Sequence, residues 1–193
     1  MALIRLAEID ELEGTPREVA ESGQAQYGQL LNTWRAIMNK PELFGAYLPF
    51  LRQVAGPGQL DMKTKDLSAL YVGFLNHCHY TASHRSTSGL KNGLTAEQMV
   101  AAVAGDWGGF DERTRIALEF TRELTLNPQT VTFADAPQAV SSTTLSALKN
   151  EFNDVEILEL SMSVSVWNAL SRFHRVMGFE LDMPEAPEGV NPQ

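Results

Sequence analysis

The spacing of apolar residues constrains the fold of this chain more than any other feature. Apolar side chains recur at three- and four-residue intervals along most of the sequence, as at Trp34 and Met38 and again at Leu160 and Val164. This period places them on one face of an α-helix. Alternating apolar and polar runs of the kind that mark β-strands are nearly absent. We therefore predict an all-α protein.

Signals for helix ends divide the sequence into segments. Thr95 followed by Gln98 is a capping box, in which side chains bond to backbone amides of the first helical turn. Asp111 and Asn153 are predicted to cap two further helices. Residues 127–142 are predicted to form a connecting loop. The predicted breaks are at Lys40-Pro41, Gly56-Pro57-Gly58, Asn127-Pro128 and Gly178.

The composition favours one domain and disfavours several classes of partner. A chain of 193 residues with 44% hydrophobic content is long enough to bury one core. A net charge of −9 and a pI near 4.9 argue against binding to nucleic acid or to an anionic membrane. The single cysteine excludes an internal disulfide, and no apolar stretch has the length of a signal peptide or a membrane span. We therefore expect a cytoplasmic protein.

The most informative part of the sequence is the segment 76–85, Asn-His-Cys-His-Tyr-Thr-Ala-Ser-His-Arg. It resembles the signature of the carboxymuconolactone decarboxylase and alkyl hydroperoxidase D superfamily. In that signature an acidic residue lies one helix before Asn-x-Cys-x-Tyr-Cys, and one or two histidines follow. Asn76, Cys78 and Tyr80 match, and Asp66 stands twelve residues before Cys78, where the family usually has Glu.

The resemblance covers roughly residues 40–180, and the chain also resembles the subgroup usually called peroxidase-related proteins. It implies an orthogonal helical bundle of the alkyl hydroperoxidase D type, folded as a single domain over 1–193. The implied parts are an N-terminal helical extension (1–60), a core with the Cys78 motif (61–125) and C-terminal helices (143–178). Further matches lie at Gly89-Leu90, Gly93-Leu94-Thr95, Trp167-Asn168 and Arg172-Phe173.

Two departures from the family pattern bear on the mechanism. Thr81 stands where the hydroperoxidases have the second cysteine of Cys-x-x-Cys, so no such disulfide can form. Arg85 stands where the catalytic histidine usually lies, and His84 precedes it. At about 100° per residue, a residue seven positions on returns within roughly 20° of the same helix face, whereas one six positions on is displaced by about 120°. We therefore predict that Arg85, and not His84, shares a face with Cys78.

These observations predict a site centred on Cys78. Its thiolate is the form that attacks peroxides, provided that the site is partly open and that Arg85 or a nearby histidine makes it electropositive. We predict no cofactor and no metal, because the histidines of this segment do not complete a tetrahedral ligand set. The predicted catalytic residues are Cys78, His84, Asp66 and Thr81, and the predicted substrate-binding residues are Arg85, Tyr80 and His77.

Structural roles compete with these assignments. A lone cysteine on a helix is usually a small buried hydrophobe. Asp66 near a helix N-terminus would also be favoured by the helix dipole. Trp167 is predicted to pack in the core or at a subunit interface, and His174 is predicted to be structural.

Three functions remain open. The leading hypothesis, which the resemblance implies, is an antioxidant peroxidase of the alkyl hydroperoxidase (peroxiredoxin) type, in which an external thiol or partner protein reduces the oxidised Cys78. The second is a decarboxylase-like enzyme acting on an acidic lactone, with Arg85 binding a carboxylate and a histidine transferring protons. The third is an oligomeric binding protein without catalysis. The resemblance implies a homo-oligomer, as a dimer, trimer or hexamer.

Overall fold

A computed structural model describes residues 2–192, and this part of the chain contains nine α-helices and no β-strand. The predicted all-α fold is therefore confirmed. Short 3-10 turns lie at Ile9–Glu11 and Asn127–Gln129. The α-helices are α1 (Gly14–Tyr27), α2 (Asn32–Ile37), α3 (Pro41–Ala55), α4 (Met62–Leu75), α5 (His79–Lys91), α6 (Ala96–Ala104), α7 (Glu112–Leu126), α8 (Ser142–Glu151) and α9 (Asp154–Met177).

The helix ends follow the sequence signals. The Thr95 hydroxyl accepts from the backbone N–H of Gln98 at 3.2 Å, and the Gln98 side chain accepts from the N–H of Thr95 at 3.0 Å. Asp111 and Asn153 cap α7 and α9 through their side-chain oxygens. Gly178 ends α9 in the left-handed conformation, with φ at 64°, which glycine adopts without steric cost. All four of these predictions are confirmed.

Helix α4 is the centre of the bundle. Its residues 64–73 are buried without interruption, and it packs against α5, α6, α7 and α9. A helix that is covered on all sides needs small residues where its neighbours approach closely. Gly73 provides such a place, since a Cβ there would lie 2.9 Å from the Thr81 methyl group of α5. This close approach fixes the start of α5 against the end of α4.

The N- and C-terminal parts of the chain both pack onto this centre. Trp34 and Phe44 belong to an apolar cluster formed by residues from 7 to 48. After α9, the segment 179–192 has the composition of a loop, yet Ala186 and Val190 are buried in the cluster that α4, α5 and α6 share. No helix within residues 2–192 is long and apolar enough to cross a membrane. The division into extension, core and C-terminal helices stays a prediction.

Candidate functional site

A cavity of about 440 Å³ lies between the N-terminal helices α1–α3, helix α5 and helix α9. His84 and Arg85 of α5 line it, together with His174 of α9 and Arg52 of α3. Adjacent residues of α5 thus face the same cavity. The sequence predicts that Arg85, and not His84, shares a face with Cys78. Cys78 precedes the first residue of α5 and does not line the cavity, so this relation does not decide which residues face it.

His84 is held by a carboxylate from the C-terminal segment. Its Nε2 lies 2.5 Å from Oδ1 of Asp182. The other carboxylate oxygen accepts from the Tyr80 hydroxyl and from the backbone N–H of Asn32, each at 2.6 Å. The Tyr80 ring also stacks on the His84 imidazole, with centroids 4.3 Å apart. These contacts fix the imidazole in position and orientation.

The charges of this pair can be assigned from its surroundings. Burial alone would raise the pKa of Asp182, but the hydrogen bond and charge of His84, with donors from Asn32 and Tyr80, lower it below its usual range. Burial lowers the pKa of His84, although Asp182 opposes this effect. Asp182 is therefore ionised and His84 neutral at pH 7. Since a carboxylate only accepts, Nε2 carries the proton and Nδ1 keeps the lone pair that can take up another.

Arg85 forms the second polar feature of the cavity. Its Nη1 lies 3.5 Å from Oδ1 of Asp66, and its guanidinium carbon lies 4.2 Å from the centre of the Trp167 ring. Asp66 is buried and also accepts from the side-chain amide of Asn92 at 2.6 Å. Burial lowers the pKa of Arg85, an effect that the Asp66 charge opposes. Asp66 thus balances a buried cation and does not itself line the cavity.

His174 connects the cavity wall to Thr81. Its Nδ1 lies 3.0 Å from the Thr81 hydroxyl oxygen, and its Nε2 lies 3.0 Å from that of Thr33. Ser171 donates to the Thr81 hydroxyl at 3.1 Å. Because both ring nitrogens are occupied, His174 supports the wall without a free nitrogen for proton transfer. This arrangement agrees with the structural role predicted from the sequence.

The buried His174 predicts acid-sensitive stability. Burial, reinforced by His84 once it is protonated at low pH and by Arg85, and opposed by Asp182, lowers the pKa of His174 to about 3. The unfolded chain binds a proton at this histidine near pH 6.5, whereas the folded chain does not. The stability that depends on a neutral His174 is therefore fully present above pH 6.5 and is lost as the pH falls toward 3. We expect the free energy of unfolding to fall by about 1.4 kcal/mol per pH unit from this residue. Urea titrations from pH 7 to 4.5 should show a shallower slope for His174→Gln, and equal slopes would contradict the assignment.

Cys78 lies at the N-cap of α5. Its Sγ accepts from the backbone N–H of Thr81 at 3.4 Å, and the residue is only 1% exposed. The expectation of a partly open thiol is therefore wrong. Cys78 lies in the tight α4–α5 turn, where its N–H bonds to the Gly73 carbonyl at 2.9 Å and where Gly73 lets α5 pack closely on α4.

The remaining predicted residues lie apart from the cavity. His77 is exposed in the α4–α5 turn, with φ at 52°, and does not line the cavity. Tyr80 is buried, and its hydroxyl serves Asp182. The motif residue Asn76 donates to Oδ1 of Asn168 at 2.8 Å, which ties the end of α4 to α9. Neither His77 nor Tyr80 is placed where a ligand in the cavity would touch it.

Comparison with known proteins gives a family match for part of the chain. Residues 41–123 match the model of the carboxymuconolactone decarboxylase family. This part contains the segment 76–85, and the match confirms the resemblance found in the sequence. No curated protein sequence matches the chain significantly.

Solved structures share the fold of this chain over nearly its whole length. An uncharacterized peroxidase-related protein from Ralstonia eutropha JMP134, described as an alkylhydroperoxidase AhpD core, superposes with a TM-score of 0.77 at 15% identity, covering 100% of this chain and 98% of that one. A second peroxidase-related protein, from Silicibacter sp. TM1040, gives 0.69 at 19% identity, covering 99% and 95%. The debrominase Bmp8 in complex with 2,3,4-tribromopyrrole gives 0.78 at 15% identity, covering 98% and 96%. At these identities the likeness establishes the fold alone.

Two residues of this site were missed by sequence reasoning. Asp182 lies in a segment whose composition predicts a loop, and no motif marks it. Arg52 lies in the N-terminal helices, before the recognised motif. Trp167 packs in the core, as predicted, and it also lines the cavity and contacts Arg85. The recurrence of the family's aromatic-Asn pair at Trp167 was the one available signal.

Proposed function

We propose that this chain is an acid–base enzyme that acts on a small carboxylate-bearing unsaturated lactone. The observation that carries this proposal is the position of His84, bonded to Asp182 and next to Arg85 on the cavity wall, while Cys78 lies outside the cavity. A neutral imidazole oriented by a carboxylate is a suitable general base. The family name, which refers to a lactone decarboxylase, supports the choice of substrate type.

The proposed step is a proton transfer at carbon. Nδ1 of His84 takes a proton from a ring carbon conjugated with the lactone carbonyl, and the electron pair of the broken C–H bond is delocalised onto the carbonyl oxygen. The buried guanidinium of Arg85 stabilises that negative charge. His84 then returns the proton to another carbon of the conjugated system, so that a double bond shifts and no further reactant is needed. Asp182 stabilises the imidazolium that exists between the two transfers.

The experiment that tests this proposal follows protons and carbon dioxide. Carboxymuconolactone and related carboxylated γ-lactones are incubated with the protein in D2O, and deuterium incorporation is followed by NMR. CO2 release, measured in parallel, reveals whether a carboxylate leaves from the ring carbon instead of a proton. Treatment of the protein with a thiol-alkylating reagent should not lower the rate. Absence of both exchange and CO2 across the lactones would reject the proposal.

A second candidate, a thiol peroxidase, is favoured by the contact between Thr81 N–H and Cys78 Sγ. Amides at a helix N-terminus stabilise a thiolate. In this reaction the thiolate attacks the outer peroxide oxygen, the O–O bond breaks, an alcohol leaves, and Cys78 becomes a sulfenic acid. An external thiol then reduces it in two steps, releasing water and forming a disulfide of that thiol. Burial of Cys78 opposes the first step.

A mass measurement separates the two candidates. Because Cys78 is 1% exposed, we expect it to stay reduced when the native protein meets cumene hydroperoxide for a few minutes. The same treatment in urea should add oxygen to the exposed thiol, which provides the control. Intact-mass analysis of native Cys78→Ser and of the unaltered protein reads out the difference. An added oxygen on the native protein that the variant lacks would favour the peroxidase.

A homo-oligomer remains a prediction from the family resemblance. Multi-angle light scattering gives the subunit number directly. An oligomer without lactone or hydroperoxide turnover would favour the third hypothesis, a binding protein.

A further inference from the structure

Aromatic side chains form part of the cavity wall on several helices. Four aromatic side chains line it, from α1, α2, α3 and α9: Tyr27, Trp34, Tyr47 and Trp167. Flat conjugated rings pack on such side chains by stacking or edge-to-face contact. The volume of about 440 Å³ falls within the range of roughly 300–1,000 Å³ that holds drug-sized ligands. The cavity thus has room for more than one lactone ring.

Arg52, also on this wall, is a cation without a carboxylate partner. Its Nε is buried and has no hydrogen-bond partner, and its Nη2 makes one long contact of 3.3 Å to the Ser22 hydroxyl. Within residues 2–192 no carboxylate lies at ion-pair distance from it, whereas Arg85 has Asp66. Buried polar atoms are nearly always satisfied in folded proteins. An unpartnered guanidinium in a cavity lined by no acidic side chain of the described residues indicates a place for an anion.

We infer that the ligand of this cavity is a flat, conjugated ring acid whose carboxylate contacts Arg52 and whose ring packs among the aromatic walls. This inference rests on the proposed function, because the ring then presents its reacting edge to His84. Arg52 is a specificity-determining residue in this arrangement. Arg85, whose charge Asp66 balances, remains available for the carbonyl oxygen. A saturated ring of the same size lacks the flat face that packs on the aromatic side chains. An uncharged ring lacks the carboxylate that contacts Arg52.

Calorimetric titration of the full chain with three probes tests the inference. The probes are 2-naphthoate, its uncharged analogue 2-naphthamide, and the saturated decahydronaphthalene-2-carboxylate. We expect 2-naphthoate to bind most tightly of the three. Arg52→Gln should weaken its binding by about 10- to 100-fold, the loss expected for a charge-assisted hydrogen bond, and Arg52→Lys should weaken it less. Arg17→Gln, which alters an exposed arginine on α1, should have no effect.

Each result has a clear meaning. Equal binding of the amide and the acid, or unchanged affinity in Arg52→Gln, overturns the role of Arg52. Equal binding of the saturated acid overturns the conjugated-ring class, and absence of binding by all three probes overturns the whole inference. His84→Asn should still bind 2-naphthoate. Probe binding by the unaltered protein without lactone turnover would reject the proposed function and leave the binding site standing.

Discussion

Replacing His84 by Asn should lower kcat for lactone turnover by about 10²- to 10⁴-fold, the usual contribution of a general base. Asn is a neutral polar side chain that cannot accept and return a proton, and Asp182 keeps its bonds to Tyr80 and Asn32 when the imidazole is removed. The loss should appear in kcat more than in KM, because Arg52 and the aromatic walls remain. Steady-state kinetics and deuterium exchange at pH 7 measure the effect.

The control for this variant is His79→Asn. His79 is exposed on the same helix and has no part in the cavity, so its replacement should leave the rate unchanged. The pH profile adds a second check. The neutral form of His84 is the active one and its pKa is lowered, so the rate should hold across neutral pH and fall only below the ordinary value of about 6.5. Unchanged kcat in His84→Asn would remove the imidazole from the mechanism.

Replacing Glu159 by Gln should cost about 3–5 kcal/mol of stability, the usual result of leaving a buried charge unpaired. Lys65 is only 2% exposed, and its Nζ lies 2.9 Å from Oε2 of Glu159. Glu159 accepts from the backbone N–H groups of Gln59 and Leu60 through separate oxygens, at 3.1 and 2.9 Å. Glutamine has one oxygen and can keep only one of these bonds, so the change removes the charge together with one backbone contact. Guanidinium denaturation at pH 7 gives the free energy of unfolding.

Two further variants identify the source of the loss. Lys65→Met combined with Glu159→Gln removes both charges and should recover much of the stability lost by the single variant. Glu21→Gln breaks an exposed ion pair with Arg17 on α1 and should cost about 0–1 kcal/mol. A single variant as stable as the unaltered chain would mean that Lys65 finds enough compensation from the Gly56 carbonyl, to which it also donates.

The sequence allows the helices to be predicted well and the site only in part. The caps at Thr95, Asp111 and Asn153 act through neighbouring residues, so local sequence is sufficient to find them. The segment around His84 and Arg85 is recognisable because its spacing is kept. The burial of Cys78 depends on how closely α5 approaches α4, and helical periodicity carries no information on that distance.

The partners of the motif were beyond sequence reasoning for a physical reason. Asp182 meets His84 through a contact that spans 98 residues, and nothing in its neighbours distinguishes it from an ordinary loop aspartate. Arg52 is distinguished by its place on the cavity wall without a carboxylate at ion-pair distance, and this placement depends on the packing of α3. Charge balance in a buried site is a property of the assembled structure, and it becomes visible only when all the surrounding side chains are in place.

The contact between His84 and Asp182 joins segments that lie far apart along the chain. Asn32 and Asp182, which are 150 residues apart, are bonded to each other, and the N–H of Leu3 reaches the carbonyl of Met177. Contacts between such distant segments form late in folding and open early when a protein frays, because closing long loops costs entropy. The helical centre around α4 can therefore persist while the last segment detaches. The arrangement of His84 and Asp182 that the proposed reaction needs is then less stable than the helices themselves.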